Sequence, residues 1–225
     1  MEILDSIPFE ITVDKLTAWL RLDPKQSLED GKLNALLDQA QALAKPKGCY
    51  RVGRVLDRSR DAVKIEEIKF TSRVLGKNLE KAEQVFPYAV TCGRELESIE
   101  IPSNDLFLNY CFDVIKEMIL WSAHKYLKNH LREKFGLERL SHMNPGSLQD
   151  WPLEEQKSLF TLLGDVDAAI GVKLLPSNLL QPVKSVSGIF FPLDFDFQSC
   201  MLCPNDPCSH RRAQYNPEMV EQYQV

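Results

Sequence analysis

Near the C-terminus, Cys200-Met-Leu-Cys203-Pro-Asn-Asp-Pro-Cys208 puts three thiols within nine residues, and His210 follows closely. Two cysteines separated by two residues bring both sulfurs to one point, and a third in a Pro-rich loop completes a triangle. With a fourth ligand, from His210 or from the distant Cys92, such a set holds zinc or an iron–sulfur cluster. Spacing alone does not separate the two, and free thiols are the plain alternative. A second candidate is Lys184-Ser185-Val186-Ser187-Gly188. Its hydroxyls and the amides beside its glycine suit the polar edge of a cofactor, and Lys184 suits a carboxylate or phosphate. Its plain alternative is a strand packed tightly at Gly188. Asp113 and Glu117, four residues apart, share one helix face, which without other information reads as a solvated acidic surface.

These residues need a scaffold. Val85–Thr91 is an apolar, strand-like run that meets Cys92-Gly93, and Arg94-Glu-Leu-Glu97 starts a short helix. A long helical pattern follows from Asn104 to about Phe135, with Leu108, Cys111, Phe112, Ile115, Ile119, Leu120, Ala123 and Leu127 at apolar positions. His124 and His130 fall on it, near the surface or the core edge. The loop from Arg139 to Ser147 closes on Pro145-Gly146. Asp150 then precedes Trp151-Pro152 as a helix start, Leu153 to Leu163 carries one apolar face, and Gly164 stops it. Gly171–Leu175 and Ser185–Phe191 read as strands. Earlier, Ile11–Leu22 and a segment opened by the capping box Ser27-Leu-Glu-Asp30 read as helices. Cys49–Leu56 and Ala62–Phe70 read as a strand pair, and Ser72 to about Glu83 as a helix. The chain divides into an N-terminal helical region (1–45), a main domain (46–210) and a polar tail (211–225).

The order Pro-Gly, then W-P-L-E-E-Q…L-F-T-L-L-G, I-G-V-K-L and P-V-K-S-V-S-G resembles the activation domain of cobalamin-dependent methionine synthase. More closely, it looks like the free-standing activation-domain-like proteins of anaerobic, corrinoid-using microbes. The resemblance is strongest over the last third of the chain and continues back to about Ile65. It implies an α+β fold: a twisted, mainly antiparallel sheet crossed by a long helix. It also implies that Glu117, the second acid of the pair with Asp113, contacts the amine of S-adenosylmethionine. Thr91-Cys92-Gly93-Arg94-Glu95 matches the family's strand-to-helix junction, and Lys184, Ser185 and Ser187 fall on a segment that lines its cofactor groove. The family's loop reads Arg-x-x-Pro-Gly-Tyr, with the arginine on the ligand carboxylate. Here Pro145-Gly146 is kept, His142 stands at the arginine position and Ser147 at the tyrosine position. Arg139 lies three residues early, within reach if the loop is longer. A neutral imidazole is a poor substitute for guanidinium.

The implied function is reactivation of a cobalamin-dependent methyltransferase. S-adenosylmethionine is presented to cob(II)alamin on a separate corrinoid protein while an electron donor, or the Cys200/Cys203/Cys208 cluster itself, supplies one electron. The rival is a non-catalytic docking module of the same fold, with a structural zinc, that binds a corrinoid protein. A stand-alone methyltransferase has no residue support beyond the groove.

Composition narrows the rest. At 225 residues, 44% hydrophobic and 26% charged, the chain can bury a sizeable core. A net charge of -5 argues against a general nucleic-acid binder. The apolar runs are too short to span a bilayer, and the N-terminus lacks the pattern of a signal peptide. The expectation is a cytoplasmic protein, where thiols outnumber disulfides. Iron, zinc and acid-labile sulfide, measured on protein purified without oxygen, test the cysteine run directly. Stoichiometric metal is the expected result, and metal-free protein would remove the metal assignment.

Overall fold

Strand β6 (Gln84–Thr91) is the axis of the molecule, and in the computed structural model, which describes residues 1–20, 31–208 and 211–224, other strands flank it on both sides. On one side run β2 (Lys47–Tyr50) and β3 (Gly53–Arg58), and on the other β10 (Ser185–Pro192). β1 (Glu2–Leu4) extends the sheet beyond β2, and β7 (Leu140–Met143) extends it beyond β10. β4 (Ala62–Ile65) and β5 (Ile68–Thr71) continue from β3 as a meander. Every pairing in this sheet is antiparallel, as expected.

β6 reads as a continuous apolar run because both of its faces are covered. Phe86, Tyr88 and Val90 point into one core and Val85 and Ala89 into the other, the period of two that a strand imposes. On the first face lie α1 (Val13–Leu20), α2 (Lys32–Leu43) and the 30-residue α4 (Leu106–Phe135). The second face carries α3 (Arg73–Asn78), α5 (Gln156–Leu163), α6 (Val166–Ile170) and α7 (Pro217–Tyr223). A small hairpin, β8 (Lys173–Leu174) with β9 (Leu180–Gln181), stands apart from the sheet. The N-terminal helices share one core with the sheet, since Leu16, Leu33, Leu36 and Leu37 cluster with Phe86 and Tyr88.

Several local expectations are corrected. The strand pair 49–56 and 62–70 is four strands, because the chain turns after Tyr50 and again at Glu66, which has φ +49°. The helix expected to reach Glu83 stops at Asn78, where Arg58 takes the carbonyls of Leu79 (2.9 Å) and Ala82 (2.5 Å). The tail contains α7, held by Tyr223 Oη on Asn78 Oδ1 at 2.7 Å and by Lys77 on the Gln222 carbonyl. The proposed capping box at 27–30 lies outside the described residues.

The largest correction concerns Asp150. It does not start its own helix; Leu153–Glu155 forms a 3₁₀ turn ahead of α5, with no side-chain cap at Pro152. Its carboxylate reaches α3 instead, accepting from Arg73 N at 3.1 Å, Val74 N at 3.0 Å and the Ser72 hydroxyl. Ser72 is in turn the cap of α3, accepting from Leu75 N at 2.9 Å. One carboxylate thus satisfies two orphan donors of a helix 76 residues away in sequence. Asp150→Ala is expected to destabilise the fold by about 2 kcal/mol. Denaturant unfolding checks this, since a change under about 0.5 kcal/mol is what an ordinary surface position gives.

Candidate functional site

The site forms where α4 crosses the N-terminal end of β10. Register fixes Ser185 opposite Thr91 and Ser187 opposite Ala89. Thr91 Oγ1 accepts from the Ser185 hydroxyl at 3.0 Å and from Gly93 N at 3.1 Å, which ties the Thr91-Cys92-Gly93 junction to β10. Lys184, one residue ahead, turns toward α4. Its ammonium lies 2.9 Å from Asp113 Oδ2 and 3.3 Å from Glu117 Oε2, with the Lys184 side chain 18% and the Glu117 side chain 16% exposed. Burial alone would lower the Lys184 pKa, but the two carboxylates outweigh it and hold it above the usual lysine range. The acid pair and the lysine singled out separately in the sequence are therefore one ionic cluster.

The Pro145-Gly146 turn follows β7, where that strand leaves its ladder with β10 at Ile189. Gly146 has φ +83° and donates to the Trp151 carbonyl at 2.7 Å, so the turn needs glycine and is closed on itself. Ser147 donates to the Asn144 carbonyl at 2.7 Å and contacts the Ser199 hydroxyl at 3.2 Å. Asn144 Nδ2 bonds both Tyr88 Oη and the Ser187 carbonyl, each at 2.7 Å. This close approach is possible because residue 188 is glycine: a Cβ there would collide with the Met143 carbonyl and lie 2.5 Å from Asn144 Nδ2. Ser187 Oγ bonds Gln156 at 2.5 Å, joining the strand to the start of α5.

Behind the turn lies a buried aromatic and imidazole cluster. The His142 ring packs on His124 at 4.7 Å and on Phe190 at 5.6 Å, and Tyr88 stacks on Phe190 at 4.1 Å. Tyr88 Oη lies 3.0 Å from His124 Nε2. The amide of Asn144 already donates to that oxygen, so the tyrosine proton goes to His124, whose Nε2 is the acceptor. Burial pushes both histidines down, His142 to about 3, with Arg212 and Lys128 adding to the effect. Both rings are neutral. His142 Nδ1 is buried without a hydrogen-bond partner.

The remaining candidates do not converge. Arg139 does not come around to the turn; its guanidinium donates to the Asp194 carbonyl at 2.6 Å. Cys92 is buried at the junction, its thiol pushed up to about 12 by desolvation. Cys200 and Cys203 sit half-buried around a 3₁₀ turn (Ser199–Met201) and Cys208 is exposed. Burial acts to raise the Cys200 thiol, but the amides of Arg212 and Ala213 and the Arg212 guanidinium outweigh it and lower its pKa. Among the described residues, no three His, Cys, Asp or Glu gather to hold a metal ion, and His210 lies outside them. The sequence also left Tyr88, Asn144, Gln156 and Arg212 unmarked. Asn144 alone had a local signal, as the residue opening a Pro-Gly turn; the others meet partners far along the chain, Tyr88 with His124, Gln156 with Ser187 and Arg212 with Trp121. His124, expected near the surface or the core edge, is buried.

No family model matches the chain, and no curated protein matches it. Among solved structures it is similar to the MetH reactivation domain bound to AdoHcy, with a TM-score of 0.57 and 15% identity over 88% of this chain and 81% of that one. The chain thus has the fold of that reactivation domain, a mainly antiparallel sheet with a long helix across it. Among the described residues, no helix is long and apolar enough to cross a membrane.

The neutral histidines make the fold acid-sensitive. A folded pKa depressed to about 3 from 6.5 means that the unfolded chain binds the extra proton between those values. Stability from His142 is therefore complete above pH 6.5 and is lost as the pH falls toward 3, at about 1.4 kcal/mol per pH unit. His142→Phe is expected to flatten that slope, measured as unfolding free energy at pH 7 and pH 5.

Proposed function

We propose that this chain is a cytoplasmic accessory of cobalamin-dependent methyl transfer, binding an S-adenosylmethionine-type ligand and assisting reductive reactivation of a corrinoid held by a partner module. The observation that carries this is the ammonium site on α4. Asp113 and Glu117 already grip a positively charged nitrogen, that of Lys184, in a half-shielded position at the N-terminal end of β10. An amino-acid ligand carries the same group, so Lys184 stands in for the ligand's ammonium. The fold shared with an AdoHcy-bound domain supports the same choice of ligand class.

The residues present fit that ligand at its amine end. When bound, S-adenosylmethionine supplies a methyl group on a sulfonium, which cobalt on the partner accepts once an external donor has provided an electron. This chain's part is binding and orientation. Asp113 and Glu117 hold the ammonium, Lys184 moves aside to a ligand carboxylate, and the turn at Pro145-Gly146 with Ser147 bounds the groove. Ser185 and Ser187 keep β10 in register through Thr91 and Gln156. Cys200, Cys203 and Cys208, with His210 or Cys92, are the residues whose spacing would suit a zinc ion or an iron–sulfur cluster.

One observation favours the rival docking module. Lys184 and Lys116 together balance the charge of the acid pair, and Leu106, Phe107 and Tyr110, one to three turns along α4 from that pair, leave a large apolar surface exposed. Calorimetry with AdoHcy separates the two. Saturable binding is expected, weakened about tenfold by Glu117→Ala, which removes a charge-assisted contact. Heat that does not saturate, with retained binding of a corrinoid protein, would establish the docking module instead.

A further inference from the structure

A cavity of about 750 Å³ opens where β10 stops and α4 ends. Its walls are α3, α7, the turn between α4 and β7, and the loop that follows β10. Phe135, at that end of α4, lies roughly 33 Å along the helix axis from Asp113, at 1.5 Å per residue. The cavity is therefore separate from the acid pair, and its size is that of a small-molecule site. Tyr223 and Asn78 form its buried side, joined at 2.7 Å. Two cations are fixed in the wall. The Lys77 ammonium holds the Gln222 carbonyl and lies 4.9 Å from the centre of the Tyr223 ring. The Arg139 guanidinium holds the Asp194 carbonyl through Nη1 at 2.6 Å. Among the described residues neither cation pairs with a carboxylate, so each uses one donor and keeps the rest. The acids of the cavity are placed differently. The Asp194 carboxylate faces Lys81 at 3.9 Å, with both side chains almost fully exposed. Glu80 and Glu138 make no side-chain hydrogen bond or ion pair among the described residues. The charges held by the wall are positive.

We propose that this cavity binds a small organic acid, an apolar body ended by one carboxylate. The remaining edge of Arg139, Nε with Nη2, takes both carboxylate oxygens, and Lys77 adds its charge from the α3 wall. The apolar body covers Leu137, Met219 and Phe195, the last of them 37% exposed. Because both cations are held by wall carbonyls before any ligand arrives, little side-chain ordering is left for binding to offset. Glu80 and Glu138, which nothing holds, turn to solvent. The site stands on the cavity and its two fixed cations, independently of the acid pair and of the proposed activity. It also gives the tail a purpose, since α7 forms one wall and Lys77 fastens it.

Met219 lines the cavity, so its methyl resonance in the full chain reports occupancy by NMR. Phenylpropionate and octanoate are titrated in separate arms at constant ionic strength, with phenylpropylamine as the control of opposite charge. A saturable Met219 shift is expected with at least one acid and not with the amine. Saturation by phenylpropionate alone supports a site for an aromatic acid, by octanoate alone for an aliphatic acid, and by both for apolar acids in general. Arg139→Gln should weaken binding about tenfold, as loss of a charge-assisted pair does. Lys77→Gln, which keeps a donor for the Gln222 carbonyl, should weaken it about threefold. Unchanged methyl resonances of Met118 and Met201, which do not line the cavity, establish that each variant is folded. The proposal is overturned if neither acid gives a saturable shift, if the amine saturates as tightly as the acids, or if folded Arg139→Gln responds as the parent does.

Discussion

Everything at the candidate site depends on the pairing of β10 with β6. That ladder puts Ser185 beside Thr91, turns Lys184 toward α4 and carries Gly188 under Asn144. A slip of one residue would send each of these side chains to the opposite face. Register is held on both sides of the sheet at once, since Phe190 is locked into one core and Ile189 and Phe191 into the other. Burial of these large side chains stabilises the fold and at the same time aims the polar ones. The same residues serve stability and geometry.

The polar interior is organised differently from the apolar one. Tyr88, His124 and Asn144 form a directed chain in which each proton has a defined destination. A chain of this kind fixes tautomers, and through them the hydrogen-bonding character of neighbouring atoms. His142 lies against that chain without joining it through a hydrogen bond. It is held by packing on aromatic rings, and its charge is suppressed by burial and by two nearby cations.

Much of this fold was legible in the sequence where periodicity is long. The 30-residue α4 and the run of β6 were visible because each repeats one pattern over many residues. Gly164 ended its helix as expected, with φ +92°. Short elements were not legible: α6 and α7 carry cap signals, Asp165 with Gly171 and Asn216 with Pro217, but over five and seven residues they show no period, and a cap signal alone does not place a helix; the turn at Glu66 has no glycine to mark it. Asp150 was misassigned for the same reason, because a capping carboxylate looks alike whether its helix is the next one or a distant one. At the site, Asp113, Glu117 and Lys184 were each visible by type and spacing. Their union was not, since 67 residues separate Glu117 from Lys184. Arg212 was read as part of a featureless polar stretch, and only the return of the chain gives it a place.

That return has a practical side. After Met201 the chain is pinned by Asn216 N on the Met201 carbonyl at 2.8 Å, and α7 is clamped by Tyr223 on Asn78 and by Arg60 on Gln224 at 2.9 Å. Arg212 sits inside the loop that the Met201–Asn216 bond closes, so its position over Trp121 is set from both ends of that loop. A peptide tag or fusion joined after Val225 pulls on the outer anchor first. Purification handles and fluorescent labels therefore belong at the opposite end of the chain, where β1 is already secured by its ladder to β2.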